Sequence, residues 1–152
     1  MRFDFSHFAK MSEEEIAEVA KLVNQKIREN IPVVIREMPK EEALKIGAMA
    51  LFGEKYGDKV RVVVMDPAYS IELCGGTHVG HTGEIGEFIL KAESSVAAGV
   101  RRIEAVTADA AERIMDEQWD AISQIKQLLS SKDVVKSVNQ LVDEKSELLK
   151  RL

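Results

Sequence analysis

The chain has 152 residues, 45% of them hydrophobic and 31% charged, with a formal net charge of -5. This make-up suits a folded chain with an ordinary core rather than a disordered one, and its acidity argues against non-specific binding to phosphate backbones. No apolar run approaches the roughly 20 residues of a membrane span, the N-terminus lacks the apolar stretch of a signal peptide, and a single cysteine cannot close an internal disulfide; no membrane and a reducing, cytoplasmic setting are expected.

In chain order, "RFDF" alternates apolar and polar residues and predicts a short strand. Ser12 and Glu15 have the spacing of a capping box. Ile16, Val19, Ala20, Val23 and Ile27 then recur at helical spacing, predicting a helix to about Asn30. "VVIREM" reads as a strand. Pro39 opens a second helix over "KEEALKIGAMALF", and "GEKYGD" reads as a turn broken by Gly53 and Gly57. "KVRVVVMD" is the strongest strand, rich in β-branched residues, with "YSIELC" its neighbour through a "DPA" turn. "IGEFILKAESSV" and "VRRIEAVTA" predict two more strands.

From Asp109 onward there is neither glycine nor proline. Ala111, Ile114, Gln118, Ile122, Ile125 and Leu129 mark one helical stripe. "SSKD" supplies N-cap residues, and Val134, Val138, Leu141, Lys145, Leu148 and Leu152 follow the a/d rhythm of a coiled-coil seam. The expected fold class is α+β: a mixed or antiparallel sheet with packed helices over residues 1–108, followed by a helical hairpin over 109–152. The seam of that hairpin is expected to close on itself, on the body, or on a second chain as a homodimer.

The stretch "ELCGGTHVGHTGEIG", Glu72 to Gly86, holds the only cysteine and two of the three histidines. Cys74 and His78 can converge on one ion across the flexible "GGT", and thiolate with imidazole suits zinc. The bland alternative is a strand end running into a turn, with Cys74 as a small buried hydrophobe. His81 is either an exposed loop histidine or a third ligand. His7, after the first strand, is expected to be structural. The loop amides around Gly75, Gly76 and Thr77, with the Thr77 and Thr82 hydroxyls, are suited to hold an anion or an acyl oxygen. Arg101 and Arg102 fall on opposite faces of a strand, where one can meet a phosphate or carboxylate while the other is solvated; the bland alternative is a surface salt bridge.

Taken together, "RFDFSH", "VNQKIREN", "MPKEEALKIGAMALFGEKYGDKVRVV", "ELCGGTHV", "TGEIG" and "GVRRIEAVT" resemble the editing domain of the alanyl-tRNA synthetase family, in order from Arg2 to about Thr107. The helical segment after it resembles the start of that family's C-terminal oligomerisation region. The resemblance implies hydrolysis of the ester of alanine tRNA mischarged with serine or glycine, with the acceptor end of that tRNA as partner. It implies a zinc site built from an upstream HxxxH and a downstream CxxxH. Cys74 and His78 match the second motif, as catalytic residues and metal ligands, and Gly75, Gly76, Thr77 and Arg102 are the substrate-binding candidates. No HxxxH occurs in this chain. The expectation is therefore a piece cut inside an editing domain, with zinc weak or absent in the piece itself and ATP handled only by an aminoacylation domain elsewhere. Two other readings stand beside it: a catalytically silent folding and self-association module, and a freestanding editing protein.

Overall fold

A computed structural model describes residues 1–50 and 57–151. The chain divides into two compact units, Met1–Ala108 and Asp109–Leu152. The fold is α+β, as expected, and no helix among the described residues is long and apolar enough to cross a membrane.

The first unit contains two three-stranded antiparallel sheets. Strand β1 (Arg2–Ser6) pairs with β6 (Val100–Val106), which pairs with β5 (Ile89–Ala97). In the other sheet β3 (Lys59–Met65) is central, between β2 (Val33–Pro39) and β4 (Ser70–Leu73).

Helix α1 (Glu13–Arg28) connects the sheets in sequence. Its capping box is complete: the Glu15 amide donates to Ser12 Oγ at 3.1 Å, and the Ser12 amide donates to Glu15 Oε2 at 2.8 Å. Acidic residues fill its first turn, and Lys26 and Arg28 its last, complementing the helix dipole at both ends. The apolar face is buried on the first sheet, where Ile27, Phe88 and Ala105 form a core flanked by Ala20, Val23, Ile85 and Leu90. Full burial of a side chain the size of Ile27 contributes about 1.5–3 kcal/mol. The Asn24 amide clamps the approach to β5, donating to the Phe88 carbonyl at 2.9 Å and accepting from the Phe88 amide at 2.8 Å.

The second sheet uses alternation to make its own core. Val60 and Val62 on β3 share a face with Leu73, which stands in register with Val62, and all three pack against Ala43 and Ala48. Helix α2 (Lys40–Lys45) is shorter than expected from its apolar run. Gly47 turns left-handed at φ 85°, and the Ala48 amide reaches back to the Ala43 carbonyl at 3.0 Å, which closes the helix. The end of the expected helix and residues 53–56 of the expected turn lie outside the described residues. The "DPA" turn is present, with Asp66 Oδ1 accepting from the Ala68 amide at 2.9 Å. The strand expected from Ile85 starts only at Ile89. Ile85 belongs instead to a 3-10 turn over Thr82–Ile85, and Gly86 at φ 71° separates the two.

The second unit holds α3 (Ala108–Leu128), which begins at the last residue of the first unit, and α4 (Val134–Arg151). Asp133 caps α4 by accepting from the Lys136 amide at 3.0 Å. Helix α4 has no buried residue, and its seam positions Val138, Leu141 and Leu148 are all exposed.

Candidate functional site

The site begins where β4 ends. The Cys74 amide donates to the Arg61 carbonyl at 3.2 Å, which extends the pairing with β3 one residue past the strand. Alternation places Leu73 in the core and Cys74 on the other face of the sheet. The chain then turns through Gly75 and Gly76, both exposed.

Gly76 lies beside both candidate side chains. A Cβ at this position would lie 3.5 Å from Cys74 Sγ and 4.0 Å from His78 Cε1. The thiol and the imidazole therefore flank the same small volume, which a side chain at 76 would fill. Cys74 is a free, half-buried thiol. His78 is half-buried, and its Nδ1 is buried without a hydrogen-bond partner among the described residues. A buried ring nitrogen left unpaired costs free energy unless something outside the chain meets it. Together the pair fits two positions of a borderline-soft divalent cation such as zinc. Among the described residues no group of three His, Cys, Asp or Glu side chains could hold a metal ion.

A residue that sequence reasoning did not single out holds the turn. Arg61 Nη1 donates to the Cys74 carbonyl at 2.8 Å and to the Gly76 carbonyl at 2.6 Å. The signal available was the strand period. Arg61 stands between Val60 and Val62, so it must face away from the core, on the side where Cys74 emerges.

The remaining candidates separate. Thr77 is exposed, and neither it nor Gly75 is engaged by a hydrogen bond among the described residues, so their amides and the Thr77 hydroxyl are open to a ligand. His81 starts the 3-10 turn, is about half exposed, and lies with Nδ1 3.7 Å from Glu84; it does not join Cys74 and His78 in a metal-holding group. His7 is exposed, with its amide bonded to the Gly99 carbonyl at 3.0 Å and its ring 6.2 Å from that of Phe5. Arg102 lies on β6 in the other sheet, where it makes a two-pronged pair with Asp4 at 2.6 and 2.9 Å. Hydrogen bonding from Arg102 holds the Asp4 carboxyl below its ordinary value. Arg101 is likewise paired, with Glu93, whose carboxyl it holds low by hydrogen bonding. Both arginines thus meet carboxylates within the chain. An open apolar cavity of about 700 Å³, lined in part by Val34, Ile46, Val64 and Ile71, lies on the core face of the second sheet, opposite Arg61 and Cys74.

Residues 60–104 match the family described as the threonyl and alanyl tRNA synthetase second additional domain. Along its whole length the chain is 56% identical to part of an alanine–tRNA ligase of Cytophaga hutchinsonii, covering 18% of that protein. It is 51% identical, again over its whole length, to part of an alanine–tRNA ligase of Chlorobium chlorochromatii, covering 18% of it. A third relative, an alanine–tRNA ligase of Listeria monocytogenes, is 52% identical over 93% of the chain and 16% of its own length. The chain therefore spans less than a fifth of the length of these curated relatives.

Proposed function

We propose, for a chain homologous along its whole length to a segment of alanine–tRNA ligases, that Cys74 and His78 form half of a hydrolytic centre. That centre removes serine or glycine from alanine tRNA charged in error. The observation that carries the reading is the meeting of two ligand-type side chains beside Gly76: a free thiol, and an imidazole whose buried Nδ1 has no hydrogen-bond partner among the described residues.

The chemistry asks for such a centre. Serine differs from alanine by one hydroxyl, and a pocket that merely fits alanine rejects that addition weakly. A second site that cleaves the ester supplies the missing discrimination. Cys74 and His78 would hold zinc there, with the remaining ligands supplied from outside the described residues. When bound, zinc supplies a Lewis acid for the ester carbonyl or a water of lowered pKa. The chain's own part is to bind and orient. The amides of Gly75 and Thr77 and the Thr77 hydroxyl, unbonded among the described residues, would receive the acyl oxygen or the serine hydroxyl. Arg102, with one face taken by Asp4, keeps a secondary role toward the tRNA acceptor end. ATP chemistry belongs to other parts of the parent enzyme, which works in the cytoplasm.

The test is serine release from pre-charged seryl-alanine tRNA by the parent enzyme, together with its zinc content. His78→Ala should abolish release and lower bound zinc. Unchanged release and zinc would remove the assignment. For the 152-residue chain alone, zinc after dialysis should be well below one equivalent, because two protein ligands hold the ion weakly.

A second reading has its own support. The exposed seam of α4, with Val138, Leu141 and Leu148 unburied, suits a self-association module. Sedimentation of the chain at increasing concentration tests this, and a strictly monomeric chain would dismiss it.

A further inference from the structure

We propose that Arg61 is a positioning residue that sets the approach of Cys74 to His78. The inference rests on the hydrolytic reading of that pair, but the placement of Arg61 is a property of the fold itself.

Three observations converge. First, Arg61 passes over the carboxylate beside it. Glu37 stands in register with Arg61 across the β2–β3 pairing, yet Glu37 pairs with Lys59 at 3.0 Å. Among the described residues no carboxylate forms an ion pair with Arg61, and its charge is directed at two backbone carbonyls instead. Second, those carbonyls bracket the turn. Cys74 is the residue leaving the sheet, and Gly76 is the residue beside which the thiol and the imidazole both lie. One nitrogen bonded to both fixes the path between them, at 2.8 and 2.6 Å, the short range of charge-assisted bonds. Third, the segment is held by few hydrogen bonds among the described residues. Among the described residues, the bond from Arg61 to the Gly76 carbonyl is the only hydrogen bond made by residues 75–79. The segment is next pinned at Gly80, whose carbonyl accepts from the Val33 amide at 2.8 Å.

A loop with two glycines has many conformations open to it, and most separate residues 74 and 78. Without Arg61 the ladder bond at Cys74 survives, but the path from Cys74 to Gly80 is free. The thiol and the imidazole then lose their common volume although the sheet beneath them is intact. Arg61 touches neither partner's reactive atoms. It acts through the backbone.

The single cysteine makes this measurable, since every alkylation event reports on Cys74. The rate of iodoacetamide addition would be measured on the full chain and on Arg61→Met, Arg61→Lys and Val60→Ala. Val60 is a buried residue of the same strand on its core face and serves to match any loss of global stability. Arg61→Met should raise the rate roughly tenfold, the scale on which losing one charge-assisted hydrogen bond opens a local segment. Arg61→Lys, which keeps a charged donor, should restore most of the protection. Val60→Ala should leave the rate near that of the unaltered chain under native conditions. An unchanged rate in Arg61→Met, or an equal rise in Val60→Ala at matched melting temperature, would overturn the proposal. If Arg61→Met does not fold, Arg61→Gln takes its place: a faster rate supports the tether and an unchanged rate overturns it. Alkylation reads the tether whether or not any ester is cleaved. A loss of protection with serine release intact in the parent would therefore fault the hydrolytic reading and not the tether.

Discussion

Thr82 and Ile31 hold each other by a reciprocal pair of hydrogen bonds. The Ile31 amide donates to Thr82 Oγ1 at 2.8 Å, and the Thr82 amide donates to the Ile31 carbonyl at 2.9 Å. The same hydroxyl donates its own proton to the Lys26 carbonyl at 2.8 Å, at the end of α1. One buried threonine thus satisfies a carbonyl that the helix terminus leaves over and the amide of Ile31 just beyond it, and ties the loop carrying His78 and His81 to the body.

Replacing Thr82 with valine keeps the shape and removes the hydroxyl. The Ile31 amide and the Lys26 carbonyl would both lose a partner. The expected cost is about 1–3 kcal/mol of unfolding free energy. Thr82→Ser, which retains the oxygen, should cost clearly less. Urea denaturation of both variants checks this, and equal stability of the two would show that the hydroxyl contributes little.

Gly86 marks the end of the same turn. Its φ of 71° and ψ of -166° belong to a region populated almost only by glycine. A Cβ there would also lie 3.2 Å from Ala108 Cα, a backbone atom that cannot swing aside. Gly86→Ala should destabilise by about 1–3 kcal/mol. A substitution that proved neutral in denaturation would mean that the turn relaxes into another conformation.

The half-buried Arg101–Glu93 pair on the first sheet predicts how stability follows pH. Hydrogen bonding from Arg101 is the main reason the Glu93 carboxyl titrates below its ordinary value; burial opposes the shift, and charge attraction adds to it. A folded-state value below the unfolded one means that the unfolded chain binds the proton more readily. The stabilisation is therefore complete above the ordinary glutamate range and is lost as pH falls toward the folded value. Asp4, held low by Arg102, contributes with the same sign. Melting temperature should fall on acidification, and Glu93→Gln should make that fall shallower, with the two curves approaching each other in acid. Parallel curves would show that the pair does not differ between the folded and unfolded states.

What the sequence made legible is mostly short-range. The Ser12–Glu15 box, the β-branched run of β3 and the Asp66 turn each depend on residues a few positions apart, and each stands as the local pattern suggests. The nearness of Cys74 and His78 is of the same kind, because two glycines lie between them. Long-range partners are different. Nothing local to Arg102 points to Asp4, 98 positions away, and nothing in "KVRVVV" says that Arg61 will choose carbonyls over Glu37. The end of α2 was hidden for another reason. Gly47 sits inside a run of helical apolar spacing, and only its left-handed backbone shows that it terminates the helix.

In the parent enzyme, Cys74→Ala should cripple removal of serine from alanine tRNA while alanine charging stays nearly intact. The thiol flanks the Gly76 volume, and its loss leaves the buried His78 nitrogen as the only ligand atom of this pair. Were zinc held by this pair and ligands from elsewhere in the parent, losing the thiolate would loosen the ion and misplace whatever it positions. Charging depends on forming an adenylate, chemistry that the proposed reading assigns to other parts of the parent enzyme. The two activities should therefore separate. The measurement is the rate of serine release from pre-charged tRNA set against the rate of alanine charging by the same preparation. Arg102→Ala, assayed alongside, should have a milder effect, since its guanidinium is already engaged by Asp4 and stands on the other sheet. Serine release at the unaltered rate by Cys74→Ala would show that Cys74 packs against its turn and does no chemistry.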